Sequence, residues 1–411
     1  MKYFFITMFL IVASLRTHAQ ERIISMDDAI AAAIERNPSV IATTLEVARR
    51  KALRQTAFEI PKTDVSLMYG QYNSIQKGDN NLTIMQGIPF PTMFERQNEL
   101  NRSIISSAVL KESVSKNELS FQVKQVFNQL LYLKLRQQCL LQQDSLLGDL
   151  LRVADLRYKT GESTLLAKTS AETQLYEIKN QTRRNEADIQ IALNHLRLLC
   201  QVPDLSGVQG DMETLFTSSE VDTMLAIQSP SLAYARQLVD VANRERKVEA
   251  ARVMPDLRIG YFNQTLIGPQ NINGQDQYIG PGKRFQGFQL GLSIPLWFAP
   301  FASKVKAASI ATEVARRQYE STNINLVQQY SQAIQELDKN RNSLDYYRQS
   351  ALKTAQLLVD QGRKSFNSGE VDQSNLLLNL RQALTIREGY LLALQQYNQS
   401  IIIIEYLNGK N

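Results

Sequence analysis

The chain carries very few of the side chains on which catalytic and metal sites are usually built. Its 411 residues include two histidines, His18 and His195, and two cysteines, Cys139 and Cys200. His18 lies in the segment interpreted below as a signal peptide, which leaves His195 as the one histidine of the exported chain. A single histidine without a serine or aspartate motif around it makes neither a nucleophilic triad nor a zinc site. We therefore expect no catalytic residue, no cofactor-binding residue and no metal ligand. The sequence predicts a protein that is not an enzyme.

The two cysteines could form a disulfide only with each other. If residues 161–163 are the turn of a helical hairpin, Cys139 and Cys200 differ by about 25 Å along its axis, at about 1.5 Å per residue. A disulfide needs Cα atoms within about 7 Å of each other. This spacing predicts two free thiols.

The amino terminus has the pattern of a signal peptide over residues 1–19. Lys2 precedes the apolar run 4–15, and Ala19 supplies the small residue before a cleavage site. A run of about 12 apolar residues is too short to span about 30 Å of hydrocarbon. No cluster of Lys and Arg is interleaved with aromatic residues, so nucleic acid is not an expected partner. We expect an exported protein.

Short sequence patterns in the first half of the chain recur in the same order in the second half. Asn37-Pro38-Ser39 is echoed by Ser229-Pro230-Ser231, and Ile88-Pro89 by Ile294-Pro295. Such self-similarity predicts two structural repeats, 20–201 and 221–409, joined by a linker over 202–220. The second repeat also has a Gly- and Pro-rich loop, 268–285, which we expect to be exposed. The predicted elements are helices 26–58, 95–159 and 163–200 with strands 62–72 and 81–89, then helices 221–253, 301–365 and 370–408 with strands 256–266 and 286–294.

The long helices have coiled-coil periodicity. Apolar residues recur every seven positions in the first long helix (Leu119, Val126, Leu133, Leu140, Leu147 and Ala154) and in its counterpart (Tyr330, Leu337, Leu344, Ala351 and Leu358). The helix predicted over 95–159 would be about 97 Å long at about 1.5 Å per residue. Two shorter helices stacked end to end would match that length, which predicts a column of packed helices.

The four strands alternate apolar and polar residues, as Phe288, Leu290 and Leu292 do with Gln289 and Gly291. Strands of about 9–11 residues are long enough to cross a bilayer when tilted. Four strands cannot close a barrel, and open strand edges do not occur in lipid. Three chains would supply 12 strands, within the size range of membrane barrels. The alternative is a small sheet in water.

At this point the sequence resembles the TolC family of outer-membrane efflux ducts. The likeness rests on the duplicated halves, the Asn-Pro and Ile-Pro boundaries and two turns, Arg157-Tyr158-x-x-Gly161-Glu162-Ser163 and Phe366-x-x-Gly369-Glu370-Val371-Asp372. The resemblance implies a mainly α fold with a small β part: coiled-coil hairpins and four transmembrane strands per chain, joined in a homotrimer as a 12-stranded barrel on a helical tunnel. It also implies that the hairpin tips dock a periplasmic adaptor of the membrane-fusion type. The docking residues are then Arg157, Tyr158, Gly161, Glu162, Ser163, Phe366, Gly369, Glu370 and Val371.

The resemblance also points to an entrance gate. Asp360 stands nine residues before Gly369, where the family places an aspartate in its entrance constriction, and Arg363 occupies the place of a second acid. Three copies of Asp360 would form a ring, with Arg363 pairing across chains. The alternative is that Asp360 and Arg363 pair on one exposed helix face, for a few tenths of a kcal/mol.

The expected function follows from these features. The chain would be the outer-membrane channel of a tripartite efflux pump or a type I secretion system. It would be a passive exit duct with a long periplasmic part, in contact with outer-membrane lipid, the adaptor and an inner-membrane pump. The alternative is a soluble periplasmic coiled-coil adaptor.

Overall fold

The structure is a computed structural model that describes residues 22–72, 74–212 and 228–409. The predicted signal peptide, residues 1–19, lies outside the described residues. Contacts between Cα atoms divide the chain into two compact units. Residues 44–111 and 231–323 form what we call the sheet unit. The remaining described residues form the helical unit.

The helices and strands are numbered here in chain order. The helices are α1 (Met26–Arg36), α2 (Pro38–Ala52), α3 (Pro91–Lys159), α4 (Leu165–Cys200), α5 (Pro230–Ala251), α6 (Phe298–Tyr346), α7 (Leu352–Asn367) and α8 (Gln373–Asn408). A 3₁₀ helix, Leu53–Phe58, follows α2, and a π-helical turn, Tyr347–Ala351, joins α6 to α7. The strands are β1 (Arg22–Ile24), β2 (Asp64–Tyr69), β3 (Asn80–Ile88), β4 (Leu205–Val208), β5 (Asp256–Thr265), β6 (Gly268–Ile272), β7 (Gln275–Ile279) and β8 (Arg284–Ser293).

The helical stretch predicted over 26–58 is divided at Asn37, between α1 and α2. This residue precedes Pro38 and is extended, with φ −68° and ψ 123°, since the proline ring disfavours helical geometry in the residue before it. The side-chain oxygen of Asn37 accepts a hydrogen bond from the Ser39 N–H at 3.0 Å. Pro38 then starts α2 in the first helical position, which needs no N–H donor.

The predicted coiled-coil periodicity is confirmed in the helical unit. Every heptad residue named above in α3 is buried, as are Tyr330, Leu337 and Leu344 in α6. The helix predicted over 301–365 is interrupted by the π-helical turn. There the Tyr347 ring lies against Gly389 of α8, so closely that a Cβ on this glycine would collide with the ring. An extra residue in a helical turn shifts the side chains that follow it, and such turns commonly mark functional sites.

The stretch after α4 is part of the core, so the linker predicted over 202–220 is wrong for residues 202–212. β4 pairs in parallel with β1, and the apolar side chains Leu205, Val208 and Met212 are buried. They join a cluster that includes Phe127 of α3 and Leu196 of α4. The turn-forming residues between them hid this contribution from the sequence pattern. Residues 213–220 lie outside the described residues.

Both cysteines are free, which confirms the prediction of two thiols. Cys200 is buried at the end of α4, and its Sγ donates to the carbonyl oxygen of Ala29 at 3.3 Å. Burial raises the pKa of the Cys200 thiol to about 11. The Cys139 Sγ in α3 accepts a hydrogen bond from Nε2 of Gln143 at 3.3 Å. Burial also raises the pKa of the Cys139 thiol. Neither thiol is therefore poised to react as a thiolate.

The sheet unit contains an antiparallel sheet of four strands in the order β2-β3-β5-β8. Strands from the two halves of the chain meet in its centre, where β3 pairs with β5. The loop 268–285 is not irregular throughout, because it holds the β6–β7 hairpin. Its turn uses Asn273 and Gly274 with φ of 56° and 84°, as a two-residue hairpin turn requires.

Three helices continue from the sheet and pack together within the sheet unit. Ser103 of α3 donates through Oγ to Oδ2 of Asp240 in α5 at 2.7 Å. Arg244 of α5 forms an ion pair with Glu99 of α3 at 2.9 Å. Thr312 of α6 donates through Oγ1 to the carbonyl oxygen of Ala242 at 3.2 Å. These polar contacts join α3 and α6 to α5 within the sheet unit.

Candidate functional site

The first hairpin turn joins α3 to α4 through a tight set of backbone hydrogen bonds. Gly161 has φ +80°, and its N–H donates to the carbonyl oxygen of Tyr158 at 3.1 Å. The N–H groups of Glu162 and Ser163 both donate to the carbonyl oxygen of Arg157, at 2.8 and 3.1 Å. This is the Schellman arrangement, in which a left-handed residue lets the last carbonyls of a helix find donors.

The second hairpin turn joins α7 to α8 with the same hydrogen bonds at the corresponding positions. Gly369 has φ +81°, and its N–H donates to the carbonyl oxygen of Phe366 at 3.2 Å. The N–H groups of Glu370 and Val371 donate to the carbonyl oxygen of Ser365, at 2.9 and 3.3 Å. The two hairpins therefore end in matching turns, although their sequences share little beyond the glycine and the acid after it.

A side-chain cap starts the helix after each turn. Thr164 Oγ1 accepts a hydrogen bond from the Ala167 N–H at 3.2 Å, and Asp372 Oδ1 accepts one from the Asn375 N–H at 2.8 Å. Each cap satisfies one of the free N–H groups in the first turn of its helix. The helices predicted to begin at 163 and 370 therefore begin two to three residues later.

The two hairpin tips contact each other inside the helical unit. The guanidinium carbon of Arg157 lies 4.5 Å from the centre of the Phe366 ring. Gln373 donates through Nε2 to the carbonyl oxygen of Ala167 at 3.1 Å. Beneath these contacts lies a shared apolar cluster drawn from α3, α4, α7 and α8. Its buried members are Leu140, Leu147, Leu150, Leu175, Ile178, Phe366, Leu376 and Leu380.

An ion cluster that the sequence pattern did not reveal stands beside the first turn. Asp155 of α3 pairs with Lys159 and with Lys168 of α4, both at 2.7 Å. The hydrogen bonds from Lys159 and then Lys168 lower the pKa of the Asp155 carboxyl. The Lys168 ammonium also lies 5.6 Å from the centre of the Tyr158 ring. Asp155 and Lys159 are four residues apart in α3, but Lys168 lies beyond the turn, so only the hairpin geometry brings Lys168 to Asp155.

The corresponding aromatic residues of the two tips differ in burial. Phe366 is 5% exposed and fills the end of the apolar cluster, whereas Tyr158 is 39% exposed. Leu165 and Leu166, which begin α4, are also exposed. The first tip thus presents apolar side chains at its surface, and the second tip buries its aromatic residue.

The residues predicted to form a gate lie on the surface of α7. Asp360 and Arg363 are both exposed, and within the described chain no ion pair joins them. Asp360 instead accepts a hydrogen bond through Oδ2 from Nε2 of Gln356 at 2.9 Å. Gln356 in turn accepts one from Nη2 of Arg387 in α8, also at 2.9 Å. The intrahelical Asp360–Arg363 pair, which the spacing allowed, is therefore not formed. Gln356 was missed because it does not stand in a heptad position. Arg387 was missed because it stands seven residues after Leu380, at a position where an apolar residue is expected.

The sheet has two chemically different faces. Cross-strand neighbours such as Ile84, Tyr261 and Phe288 lie in one row of what we call the apolar face, because alternate residues of a strand point to the same side. Phe288 and Leu290 are both 84% exposed. The apolar residues of this face are Val65, Leu67, Tyr69, Leu82, Ile84, Ile88, Leu257, Ile259, Tyr261, Phe288, Leu290 and Leu292. The opposite face is mostly polar or lacks side chains, with Asp64, Ser66, Thr83, Gly87, Arg258, Gly260, Gln289 and Gly291, and its apolar side chains are Met68, Met85, Phe262 and Phe285.

The described residues give no sign of the other site types considered from the sequence. His195 is exposed on α4. No group of three or more His, Cys, Asp or Glu side chains in the described part of the chain could hold a metal ion. Among the described helices, none is both long and apolar enough to cross a membrane.

Comparison with models of known protein families finds a match for the second half of the chain. Residues 223–409 match the model of the family described as outer membrane efflux protein. We call this matched region, which covers less than half of the chain, the efflux protein domain. No curated protein matches the sequence at a significant level. The efflux protein domain contains the second hairpin turn, Asp360 and strands β5 to β8.

Solved structures extend the likeness over nearly the whole chain. The fold is similar to that of CusC, with a TM-score of 0.78 and 15% identity over 94% of this chain and 92% of that one. It is also similar to the outer membrane protein VceC of Vibrio cholerae (TM-score 0.75, 14% identity, 93% and 96% covered). A third match is the outer membrane channel CmeC of Campylobacter jejuni (TM-score 0.74, 12% identity, 94% and 85% covered). Identities this low show the fold alone.

These findings confirm the resemblance predicted from the sequence and its mainly helical fold with a small β part. The efflux protein domain and the channel-like fold do not favour the alternative of a soluble adaptor. Neither comparison indicates a catalytic family. The repeat organisation, barrel closure, the trimer, docking at the tips and the gate stay predictions.

Proposed function

We propose that this protein is the outer-membrane channel of a tripartite efflux pump or a type I secretion system. It would work as a homotrimer and a passive exit duct. The observation that carries the proposal is the one-sided apolar face of the four-stranded sheet. An exposed apolar face of this size on a short sheet is unfavourable in water and favourable against lipid.

The edges of the sheet support assembly from several chains. In the order β2-β3-β5-β8, strands β2 and β8 each have a neighbour on one side only among the strands that the structure describes. Their free N–H and C=O groups would each cost several kcal/mol in hydrocarbon unless another strand paired with them. Pairing β8 of one chain with β2 of the next satisfies both edges. Three chains close a barrel of 12 strands, which is wide enough for a pore.

The hairpin tips are the proposed docking surface for a periplasmic adaptor protein, which would connect the channel to an inner-membrane pump. Hydrogen bonds fix the backbone of both tips, and several of their side chains, among them Tyr158 and Glu162, are exposed, which supports this role. In the first tip, Tyr158, Glu162 and Ser163 border the exposed Leu165 and Leu166. A partially exposed aromatic ring beside apolar side chains is typical of protein-binding surfaces. The full set of proposed docking residues is Arg157, Tyr158, Gly161, Glu162, Ser163, Phe366, Gly369, Glu370 and Val371.

Two measurements test the channel function. The protein is extracted from the outer membrane and its detergent-corrected mass is determined, and the same preparation is inserted into planar bilayers. We expect a mass of three chains and single-channel conductance. A stable monomer that does not conduct, or recovery of the protein only from the soluble periplasm, would overturn the proposal.

A further inference from the structure

One charged side chain breaks the apolar face at the end of the sheet that carries the loops. Arg284 is the first residue of β8, and it pairs across strands with Thr265 at the end of β5. It alternates with Gln286 and Phe288 along β8 and so lies on the apolar face. Arg284 is exposed. Among the described residues of β2, β3, β5 and β8, it is the one charged residue on that face.

The guanidinium group of Arg284 is held in place by two asparagines. Its Nε donates to Oδ1 of Asn263, and its Nη2 donates to Oδ1 of Asn80 at 2.8 Å and to the carbonyl oxygen of Asn263 at 3.2 Å. No carboxylate of the described chain pairs with it, and none of the described residues accepts a hydrogen bond from Nη1. An arginine fixed in this way keeps two free donors and a full positive charge. When such a group binds an anion, it loses less side-chain freedom than a mobile arginine would lose.

The surroundings change from polar to apolar below this arginine. Asn263 donates through Nδ2 to Oη of Tyr261 at 3.3 Å, and Tyr261 donates to Oε1 of Gln286 at 2.8 Å. Lys283, also exposed, stands next to Arg284 in the chain. Toward the helices the same face continues with Phe288 and Leu290. A ligand lying on this face would meet cations and hydrogen-bonding groups first and a hydrocarbon-like surface next.

We propose that Arg284, with Lys283, binds a phosphate group of a phosphorylated glycolipid in the outer leaflet of the membrane. The proposal rests on the function proposed above, which places the apolar face against lipid. A guanidinium group binds phosphate through paired, charge-assisted hydrogen bonds. The adjoining apolar face favours a lipid over a soluble anion, because it offers contact area to acyl chains. The loop end of the sheet, opposite the helices, faces the outer leaflet in this arrangement.

Binding of lipid A to the detergent-purified full-length protein tests the site. Four probes are compared by native mass spectrometry and by thermal shift: lipid A, the same lipid without its phosphates, phosphatidylglycerol and inorganic phosphate. The variants are Arg284→Gln, Arg284→Lys and a matched control, Arg258→Gln, which removes an exposed arginine from the opposite face of the same sheet. The oligomeric mass and conductance of each variant show whether it has assembled.

We expect lipid A to bind the parent protein roughly tenfold more tightly than it binds Arg284→Gln, as the loss of one charge-assisted pair implies. Removing the phosphates should weaken binding to the parent by at least a similar factor and weaken binding to Arg284→Gln, which keeps Lys283, by a smaller factor. Arg258→Gln should bind like the parent, and Arg284→Lys should lie between. Equal binding by the parent and Arg284→Gln, an equal loss in Arg258→Gln, or equal binding of inorganic phosphate would overturn the site. A parent that conducts but shows no phosphate dependence contradicts this site alone, whereas a parent that does not conduct contradicts the channel.

Discussion

The guanidinium carbon of Arg157 lies 4.5 Å from the centre of the Phe366 ring, which joins the turn of the first hairpin to the turn of the second. Phe366 is buried in a cluster that includes Leu147 of α3 and Leu376 of α8. Arg157 therefore covers the outer end of a core to which both hairpins contribute. A substitution at this contact should therefore change the stability of both tips.

Replacing Phe366 by alanine should lower the local opening free energy of both tips by about 3 kcal/mol, because it leaves a cavity in the shared cluster. Arg157→Gln, which removes the contact between the cation and the ring, should cost about 0.5–1 kcal/mol. The measurement is the local opening free energy of backbone amides in α3, α4, α7 and α8, obtained by hydrogen exchange. Tyr158→Ala is the matched control, since Tyr158 occupies the corresponding position and is largely outside the cluster. It should cost less than about 1 kcal/mol. Equal effects of Phe366→Ala and Tyr158→Ala would contradict a shared core.

The turn glycines should be sensitive for a reason of backbone geometry alone. Gly161 and Gly369 have positive φ, and a Cβ added at either would meet no atom within 4 Å. Alanine at either position should therefore lower the free energy of unfolding by roughly 1–2 kcal/mol, which is the penalty for a side chain in the left-handed region. No steric clash adds to this penalty. Gly148→Ala is the control, because this glycine lies inside α3 with open space around it. That change should stabilise α3 by about 0.5–1 kcal/mol. The midpoint of denaturant unfolding reports all three changes, and a stabilising Gly161→Ala would refute the turn geometry.

Much of the fold was accessible from the sequence where a feature depends on local periodicity. Residues such as Leu133 and Leu140 recur every seven positions, and their burial follows from helix geometry alone. The two turns were predicted because a left-handed residue after a helix favours glycine, as Gly161 and Gly369 show. The alternation in β8 likewise predicted one apolar face.

Features that depend on contacts distant in sequence were not accessible in this way. The burial of β4 requires its pairing with β1, for which the sequence gives no signal beyond a few apolar residues. The hydrogen bond from Gln356 to Asp360 competes with the expected pair to Arg363, and Arg387 of α8 orients Gln356. Only the packing of α7 against α8 shows which of these neighbours Asp360 contacts.

Asp79, in the loop before β3, fixes the loop end of the sheet. Its Oδ2 accepts a hydrogen bond from Ser74 Oγ at 2.5 Å, and its Oδ1 accepts from Thr265 Oγ1 and from the Ile267 N–H, both at 3.0 Å. The hydrogen bond from Ser74, with those from Ile267 and Thr265, lowers the pKa of the Asp79 carboxyl. Asp79 therefore ties the β2–β3 loop to the segment that leads into the β6–β7 hairpin.

This lowered pKa predicts an acid-sensitive loop. A carboxyl with a folded-state pKa below its unfolded value, about 3.9 for Asp, stabilises the fold above that value. The contribution is lost as pH falls from about 4 through the lower folded-state pKa. Amide exchange in residues 266–272, corrected for its intrinsic pH dependence, should accelerate in that window in the parent. Asp79→Asn should exchange faster at pH 7 and show no further change on acidification. Asp276→Asn is the control, since among the described residues exposed Asp276 accepts a hydrogen bond only from Asn271 in its own hairpin, at 2.9 Å. An acid response unchanged in Asp79→Asn would assign the effect to another group.

The last prediction concerns the proposed gate on α7. In the described chain Asp360 is exposed and is hydrogen-bonded to Gln356, and Arg363 makes no ion pair with it. Both charges are therefore available to a neighbouring copy in a trimer. A ring of Asp360 side chains, paired across chains with Arg363, would hold the entrance closed until an adaptor separated the tips. Removing either partner leaves the other charge without its pair and should open the entrance.

Asp360→Ala and Arg363→Ala should each raise the resting conductance of the purified trimer in planar bilayers. Multivalent cations should block the parent channel, because a ring of three carboxylates concentrates them, and should fail to block Asp360→Ala. Asp338→Ala is the matched control. It removes an exposed acid from α6 whose one ion pair in the described part of the chain is with Arg341 of its own helix, at 3.6 Å. This control should conduct like the parent and be blocked like it. If the parent, Asp360→Ala and Arg363→Ala share one resting conductance and one cation block, the entrance is closed by other residues. If Asp338→Ala changes conductance as much as Asp360→Ala does, the effect is one of net charge and not of a ring at Asp360.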